Sequence, residues 1–454
     1  MYRHVWAACL VATIRALPAQ AQTPTGERLG DYYRAAGLAN PRVAAAQALA
    51  RAAASRVAGA RRPPDPELQL GFMNRTLPGL APMPLVGMTQ LQLMQMIPTG
   101  GKLSLAGRAA AAQASAASAR SEDAAWDVRS QVAMAYYDLA ATDRSLDVAR
   151  ETLRLLQDVA STAEAMYRVG EGRQADVLRA HVEIARMAED TLRMLAMRVS
   201  MAARLNALLD RDAATPVGRV ELPRFPEAVP SRDWLDSIAT RQRPMVRAGV
   251  EEVRAAEASE TLARRELIPD LQVGIQYGTQ RASSLDGMGG GGREHMASLM
   301  IGASIPVFAR SRQLEMRSEA AAMRQMAAAD LAAMRAETRG RMGEAHAALQ
   351  RARRLAALYR TEILPQAEAA VASALAAYRV GSVDFMTLLD SRMSVNRYRQ
   401  ELVTLESEQG KAWAELEMLS ARELLDPDTV APDDTGPNPN VRRPGDAPAP
   451  GGAR

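Results

Sequence analysis

The feature that most limits how this chain can fold is an ordered internal repetition. Asn40-Pro41-Arg42-Val43 resembles Arg243-Pro244-Met245-Val246. Each opens an alanine-rich helical stretch that ends in a Pro-x-Leu-x-x-Gly run, Pro66 to Gly71 in one case and Pro269 to Gly274 in the other. The prolines of both pairs lie 203 positions apart (41 to 244, 66 to 269). Ile97-Pro98 answers to Ile305-Pro306 at an offset of 208, and Tyr167-Arg168-Val169-Gly170 recurs unchanged as Tyr378-Arg379-Val380-Gly381 at 211. Matches that keep their order while the offset drifts by a few residues mark a duplication, so the fold must be two copies of one plan.

Each copy reads as helix, strand, loop, strand, very long helix, turn, long helix. The strands alternate. Leu68, Leu70 and Phe72 share one face, with Glu67, Gln69 and Gly71 on the other; Leu91 and Leu93 alternate with Gln90 and Gln92. In the second copy Leu271, Val273, Ile275 and Tyr277 alternate with Gln272, Gly274 and Gln276, and Leu299, Ile301, Ala303 and Ile305 alternate with Ser298, Met300, Gly302 and Ser304. A period of two over about ten residues suits a barrel with lipid outside and water inside. It equally suits a half-buried sheet in a soluble domain. The connecting loops lie at about 74–87 and 279–295, and the second reads as solvent-facing through its glycine run Gly289 to Gly292.

Leu103 to Met166 contains no proline and would span on the order of 90 Å as a helix. Val132, Tyr136, Leu139, Leu146, Leu153, Leu156 and Ala160 form a coiled-coil seam, and Met342, Ala345, Leu349, Ala352, Ala356, Tyr359 and Ile363 repeat it. The returning helices carry seams at Leu178, Val182, Ala185, Leu192, Leu195 and Val199, and at Val395, Tyr398, Leu402 and Leu405. Pro365 is expected to kink or split the second long helix. Aromatics are only 4% of the chain, as packed alanine-rich helices require, and a formal charge of +4 is too even to imply nucleic-acid binding.

Residues 1–21 read as a secretory signal, with Arg3 and His4, an apolar run and Ala19-Gln20-Ala21; a misplaced start is the alternative. Cys9, the chain's one cysteine, raises lipidation, but the apolar stretch before it is short. The expected organisation is 22–210 for the first repeat, 211–233 for a proline-rich linker, 234–424 for the second repeat and 425–454 for a disordered tail. No segment offers about 20 uninterrupted apolar residues, so strands must make any membrane crossing.

Four strands cannot close a barrel, and hydrocarbon tolerates no open edge. A bilayer reading therefore requires several copies, and three give twelve strands. The Pro-x-Leu strand starts, the Ile-Pro pairs, the Tyr-Arg-Val-Gly turns followed by Val177-Leu178 and Leu388-Leu389, and Leu205-Asn206-Ala207-Leu208-Leu209 resemble the outer-membrane efflux protein family, the TolC-type channels, over roughly residues 30–422.

That resemblance implies a mainly α fold with a small β part. Long antiparallel coiled-coil helices form a periplasmic α-barrel, and four strands per chain form a twelve-stranded barrel in a homotrimer embedded in outer-membrane lipid. It implies a passive channel for efflux or type I secretion that works with a periplasmic adaptor and an inner-membrane pump, with no enzymatic activity and no cofactor. Adaptor docking falls on the tips Val169, Gly170, Glu171 and Val380, Gly381, Ser382, although the glycines also serve the turns themselves. Asp390 matches an acidic gate position, Thr387 departs from a second one, and Asp176 lies at the corresponding place after the first tip; each carboxylate is also an ordinary solvated helix residue. The heavy-metal branch suits the 24 methionines, many of which also sit where methionine is core filler. His181, His295 and His346 are far apart, and no metal spacing or catalytic constellation stands out. A periplasmic adaptor protein and a soluble coiled-coil structural protein are the competing readings. The duplicated hairpins count against the first, and the strands and export signal count against the second.

Overall fold

The computed structural model describes residues 28–74, 88–220, 222–223, 225–281 and 293–425. The expected signal, nearly all of the expected tail and most of both strand loops lie outside these residues. The first copy comprises α1 (Leu29–Ala39), α2 (Pro41–Ala60), β1 (Glu67–Met73), β2 (Met88–Ile97), α3 (Lys102–Arg168) and α4 (Gln174–Leu208). The second comprises α5 (Arg232–Gln242), α6 (Pro244–Arg265), β3 (Asp270–Arg281), β4 (Arg293–Ser304), α7 (Gln313–Leu358), a π-turn (Tyr359–Ile363), α8 (Leu364–Arg379) and α9 (Phe385–Ser420). Each copy thus opens with two helices where one was expected. Asn40 ends α1 and accepts from the Arg42 amide at 2.9 Å, and Pro41 occupies the first position of α2, where its missing N–H costs nothing.

The helices stand side by side in two tiers. Near the sheet, α2 packs on α3, α3 on α6, and α6 on α7; farther away α4 packs on α3, α3 on α9, and α9 on α7 and α8. Helix α3 runs through both tiers as one 67-residue helix, about 100 Å long. The second long helix splits ahead of Pro365 as the sequence predicts, and the split has a definite form. Leu364 donates its amide to the Tyr359 carbonyl, five residues back.

This π-turn accounts for part of the offset drift. The buried α7 residues Thr338, Met342, Ala345, Leu349, Ala352 and Ala356 lie 210 positions after Val128, Val132, Ala135, Leu139, Thr142 and Leu146, all buried in α3. Beyond the turn, Val371 and Ala374 lie 211 after Ala160 and Ala163, again buried in both copies. One extra residue is accommodated within five, and the seam keeps its phase.

The two returning helices differ. Val395 and Leu405 on α9 are buried, as a seam requires. On α4 the expected seam faces outward: Leu178 is 58% exposed, Leu192 68% and Val199 69%. Helix α4 meets α3 through another row, Ala180, Ile184, Met187 and Met194. The apolar spacing is real, but it does not face α3.

The four strands form one antiparallel sheet in the order β1-β2-β3-β4, with β2 paired to β3 across the two copies. The register aligns Leu68, Leu93, Ile275 and Leu299 in one row, and Gln69, Gln92, Gln276 and Ser298 in the next, facing the other way. Alternation along each strand therefore becomes an apolar face and a polar face across the sheet. The apolar face is uncovered, with Leu68 at 67% and Ile301 at 74% exposure.

Strands and helices meet at a buried cation. Lys102, the first residue of α3, donates through Nζ to Asp270 Oδ1 at 2.9 Å and to the Ile268 carbonyl at 3.0 Å, with Glu266 at 3.5 Å. The Thr99 amide also donates to Asp270, at 3.0 Å. Gly100 and Gly101, at φ +65° and +75°, make the left-handed approach; a Cβ on Gly100 would meet Ile268 at 2.8 Å. The linker is tied down as well: Arg198 donates to Asp143 at 2.5 Å and to the Val217 and Gly218 carbonyls at 3.2 and 3.1 Å.

Candidate functional site

Two parts of the molecule present groups that their own chain leaves unused: the far tips of the helical hairpins, and the open sides of the sheet and helix layer. Both tips are built alike. Gly170 and Gly381 take φ of +81° and +72°, and the following amides, of Glu171 and Ser382, donate to the Met166 and Ala377 carbonyls at 3.0 and 2.9 Å. These are six-to-one closures of a helix end on a left-handed glycine. The closure turns the preceding valines into solvent, Val169 at 70% and Val380 at 78% exposure. Two apolar side chains are thus held at the outermost point of a turn, outside the core.

Beyond the turns the tips diverge. Asp384 caps α9 by accepting from the Thr387 amide at 3.1 Å and from its hydroxyl, and these bonds, with Arg173 nearby, hold the Asp384 carboxyl below its ordinary value. The matching residue of the first tip is Arg173, which makes no side-chain cap. The sequence reading missed Asp384, although an aspartate three residues before Thr387 at the start of an apolar periodicity is an N-cap signal. Under the tips α3, α4, α8 and α9 share one core containing Leu156, Ala180, Tyr378, Phe385 and Leu388. The Tyr378 and Phe385 rings meet edge to face at 5.8 Å.

The candidate carboxylates separate. Asp176 is half-buried and lines the groove between the tips with Glu171, Arg173, Tyr378, Gly381, Ser382 and Asp384. Burial first, and the Asp176 charge second, push the Tyr378 hydroxyl above its ordinary pKa. Asp390 is exposed on α9 and is not part of that groove. At the tip offset of 211, Asp176 corresponds to Thr387 and Asp390 to Arg179. The two acids are therefore not repeat mates, and each copy contributes one in a different place.

Among the described residues no cluster of His, Cys, Asp or Glu has the form of a metal cage, and no helix is long and apolar enough to cross a membrane. Met316, Met323 and Met326 line a groove between α6 and α7 together with Glu252, Glu319 and Asp330.

The profile of the family described as "Outer membrane efflux protein" matches residues 33–211 and 235–422. Among curated proteins the chain is similar to Protein CyaE of Bordetella pertussis, 28% identical over 259 residues, which is 56% of this chain and 53% of that protein. It thus spans about half the length of the curated relative it matches. Among solved structures, CusC aligns with a TM-score of 0.74 at 18% identity, covering 88% of this chain and 93% of that one. VceC of Vibrio cholerae aligns at 0.73 and 20% identity, covering 87% and 96%. The outer-membrane channel OprN aligns at 0.69 and 19% identity, covering 87% and 90%. Identities at this level speak to the fold alone.

Proposed function

The chain belongs to the outer membrane efflux protein family, and on that footing we propose that three copies form an outer-membrane exit duct with a long periplasmic extension. The duct is passive and receives its cargo from an inner-membrane pump through a periplasmic adaptor. One observation carries this reading: a four-stranded sheet with one apolar face, one polar face and two unpaired edges. Lipid accepts such a sheet only when further copies close it into a barrel. The outward row on α4, Leu178 to Val199, supports the same assembly, because an edge helix with an exposed seam needs a neighbour. The polar rows of Gln69, Gln92, Gln276 and Ser298 then line water.

In this reading the tips meet the adaptor. Val169 and Val380 offer the apolar contact, Glu171 and Ser382 the flanking polar groups, and Gly170 and Gly381 set the angle. Asp176 and Asp390, each in triplicate around one axis, attract cations near the narrow end. The experiment is conductance of the purified trimer in planar bilayers. Cation preference is expected in the native duct and should weaken in Asp390→Ala. A preference unchanged by Asp390→Ala and by Asp176→Asn removes the gate assignment, and a protein that never conducts removes the duct itself. Replacing Gly170 and Gly381 with valine costs about 1–2 kcal/mol at each left-handed site and should impair export while leaving the trimer intact; normal export would refute the docking assignment.

A further inference from the structure

The duplication carries more than the overall plan, because one copy-to-copy junction is already present inside the chain. There, β2 and α3 of the first copy meet β3 and α6 of the second, sealed by Lys102 on Asp270. The mirror situation, β4 and α7 meeting β1 and α2, has no counterpart within one chain: β1 and β4 are the two sheet edges.

The offsets state which residues would meet. From the α2–β1 unit to the α6–β3 unit the offset is 203 throughout, which takes Asp270 back to Glu67. From the β2–α3 unit to the β4–α7 unit two independent measures agree. Sheet register pairs Glu67 with Met94 and Asp270 with Ser304, and Met94 to Ser304 is 210. The buried rows of α3 and α7 also differ by 210, as at Leu139 and Leu349. That offset takes Lys102 to Arg312. The Ile-Pro motif, at 208, is two residues out of step. The chain makes up the difference in a connection two residues longer, from Pro306 to Arg312, the residue before α7, against Pro98 to Lys102, the first of α3.

We propose that Arg312 of one copy forms an ion pair with Glu67 of the next, sealing the strand–helix junction between protomers as Lys102 and Asp270 seal it within one. The proposal rests on the trimeric reading and adds its register. Both side chains are exposed, on opposite open sides of the molecule and at the same level, where strands give way to helices. The selection is specific. Among the described residues the other intrachain pairs across this seam, Lys102–Glu266, Arg120–Glu252, Arg243–Asp123 and Arg247–Glu122, map onto Arg312 with Pro63, Asp330 with Leu49, Asn40 with Ala333, and Ala44 with Ala332, none of them opposite charges. Lys102–Asp270 is the pair whose charges survive the mapping. A planar guanidinium suits a bidentate grip on a carboxylate at an edge that must register correctly.

The test uses the full-length protein in detergent. Glu67→Arg and Arg312→Glu should each lower the temperature at which the trimer dissociates, and the double reversal should regain most of the loss. Arg310→Glu should not compensate Glu67→Arg. Separately, in a Cys9→Ser background, Glu67→Cys with Arg312→Cys should give a ladder of two and three linked chains with a short bismaleimide, whereas either cysteine alone gives none. A trimer that neither cross-links at 67 and 312 nor recovers in the double reversal overturns the register, as does rescue through position 310. Wild-type protein without any trimer overturns the assembly reading first, so the two failures are distinguishable.

Discussion

The two returning helices, α4 and α9, descend from one ancestral segment and occupy opposite situations. At the 211 offset, Leu192 corresponds to Val403 and Val199 to Gly410. Leu192 and Val199 stand in solvent at 68% and 69% exposure, while Val403 is buried at 3%. Gly410 lies so close to Tyr137 that a Cβ would come within 2.7 Å of its ring. Helix α9 is clasped between α3 and the α7–α8 helix, so its surface has been trimmed to fit partners in its own chain. Helix α4 packs mainly on α3, meets α8 and α9 only under the tips, and leaves a leucine-rich face uncovered. Duplication copied the helix, and position in the layer decided what each face had to become.

The largest effect should come from placing a charge at the matched pair. Val403→Glu buries an unpaired carboxylate and should cost the chain about 3–5 kcal/mol, seen as lost helix signal on heating. Leu192→Glu should leave the monomer's helix content intact and abolish the trimer in size-exclusion chromatography with light scattering. If both variants unfold, or neither loses the trimer, the contrast between the helices is wrong. A smaller effect is expected at the other pair. Gly410→Ala must push Tyr137 aside and should cost about 1–3 kcal/mol, against no more than about 0.5 kcal/mol for Val199→Ala in the detergent-dispersed monomer. Equal thermal melts for these two would remove the argument from close approach.

Smaller still is the π-turn. Deleting Thr361 converts it to regular helix while α8 keeps its phase, so the melting temperature should shift by only a few degrees. Collapse of the fold would mean that the extra residue is structural rather than absorbed.

The mildest prediction concerns the helix ends. Asn206 and Glu417 are repeat mates, both buried. Asn206 donates to the Thr215 carbonyl at 2.8 Å, and Glu417 accepts from the Leu424 and Leu425 amides at 2.8 Å each. Burial outweighs those bonds and Arg129 and raises the Glu417 carboxyl above its ordinary value of 4.5. A raised carboxyl keeps its proton longer in the fold than in the unfolded chain, so stability falls as pH rises from 4.5 through the folded value. Glu417→Gln should flatten that slope, and its advantage over the native chain should grow with pH across the same window. A parallel pair of pH–stability curves would contradict it.

Much of this architecture was legible because periodicity and punctuation report local physics. The alternation of Leu68 to Phe72 and of Leu271 to Tyr277 gave the strands, the proline-free run before Met166 gave α3, and the repeated Tyr-Arg-Val-Gly gave both tips. What stayed hidden depends on who sits next to whom. The spacing of Leu178 to Val199 reads as a seam whether its partner is α3 or another chain, and only packing reveals that Ala180 and Met187 face inward. The Lys102–Asp270 contact joins residues 168 apart in sequence and has no local signature. The drift from 203 to 211 has its origin in the strand connections and the π-turn, which sequence offsets alone do not locate. Of the candidate site, the glycine turns could be read directly; that Asp176 faces the intertip groove and Asp390 does not required the fold.

The central claim is that this open sheet exists only as part of a closed assembly of identical chains. Native mass spectrometry of the detergent-extracted protein tests it most directly. Three copies per particle, with strand signal lost when Leu192→Glu drives the particle to one copy, is the predicted result. A single-copy particle that retains its sheet and dissolves without detergent would contradict it.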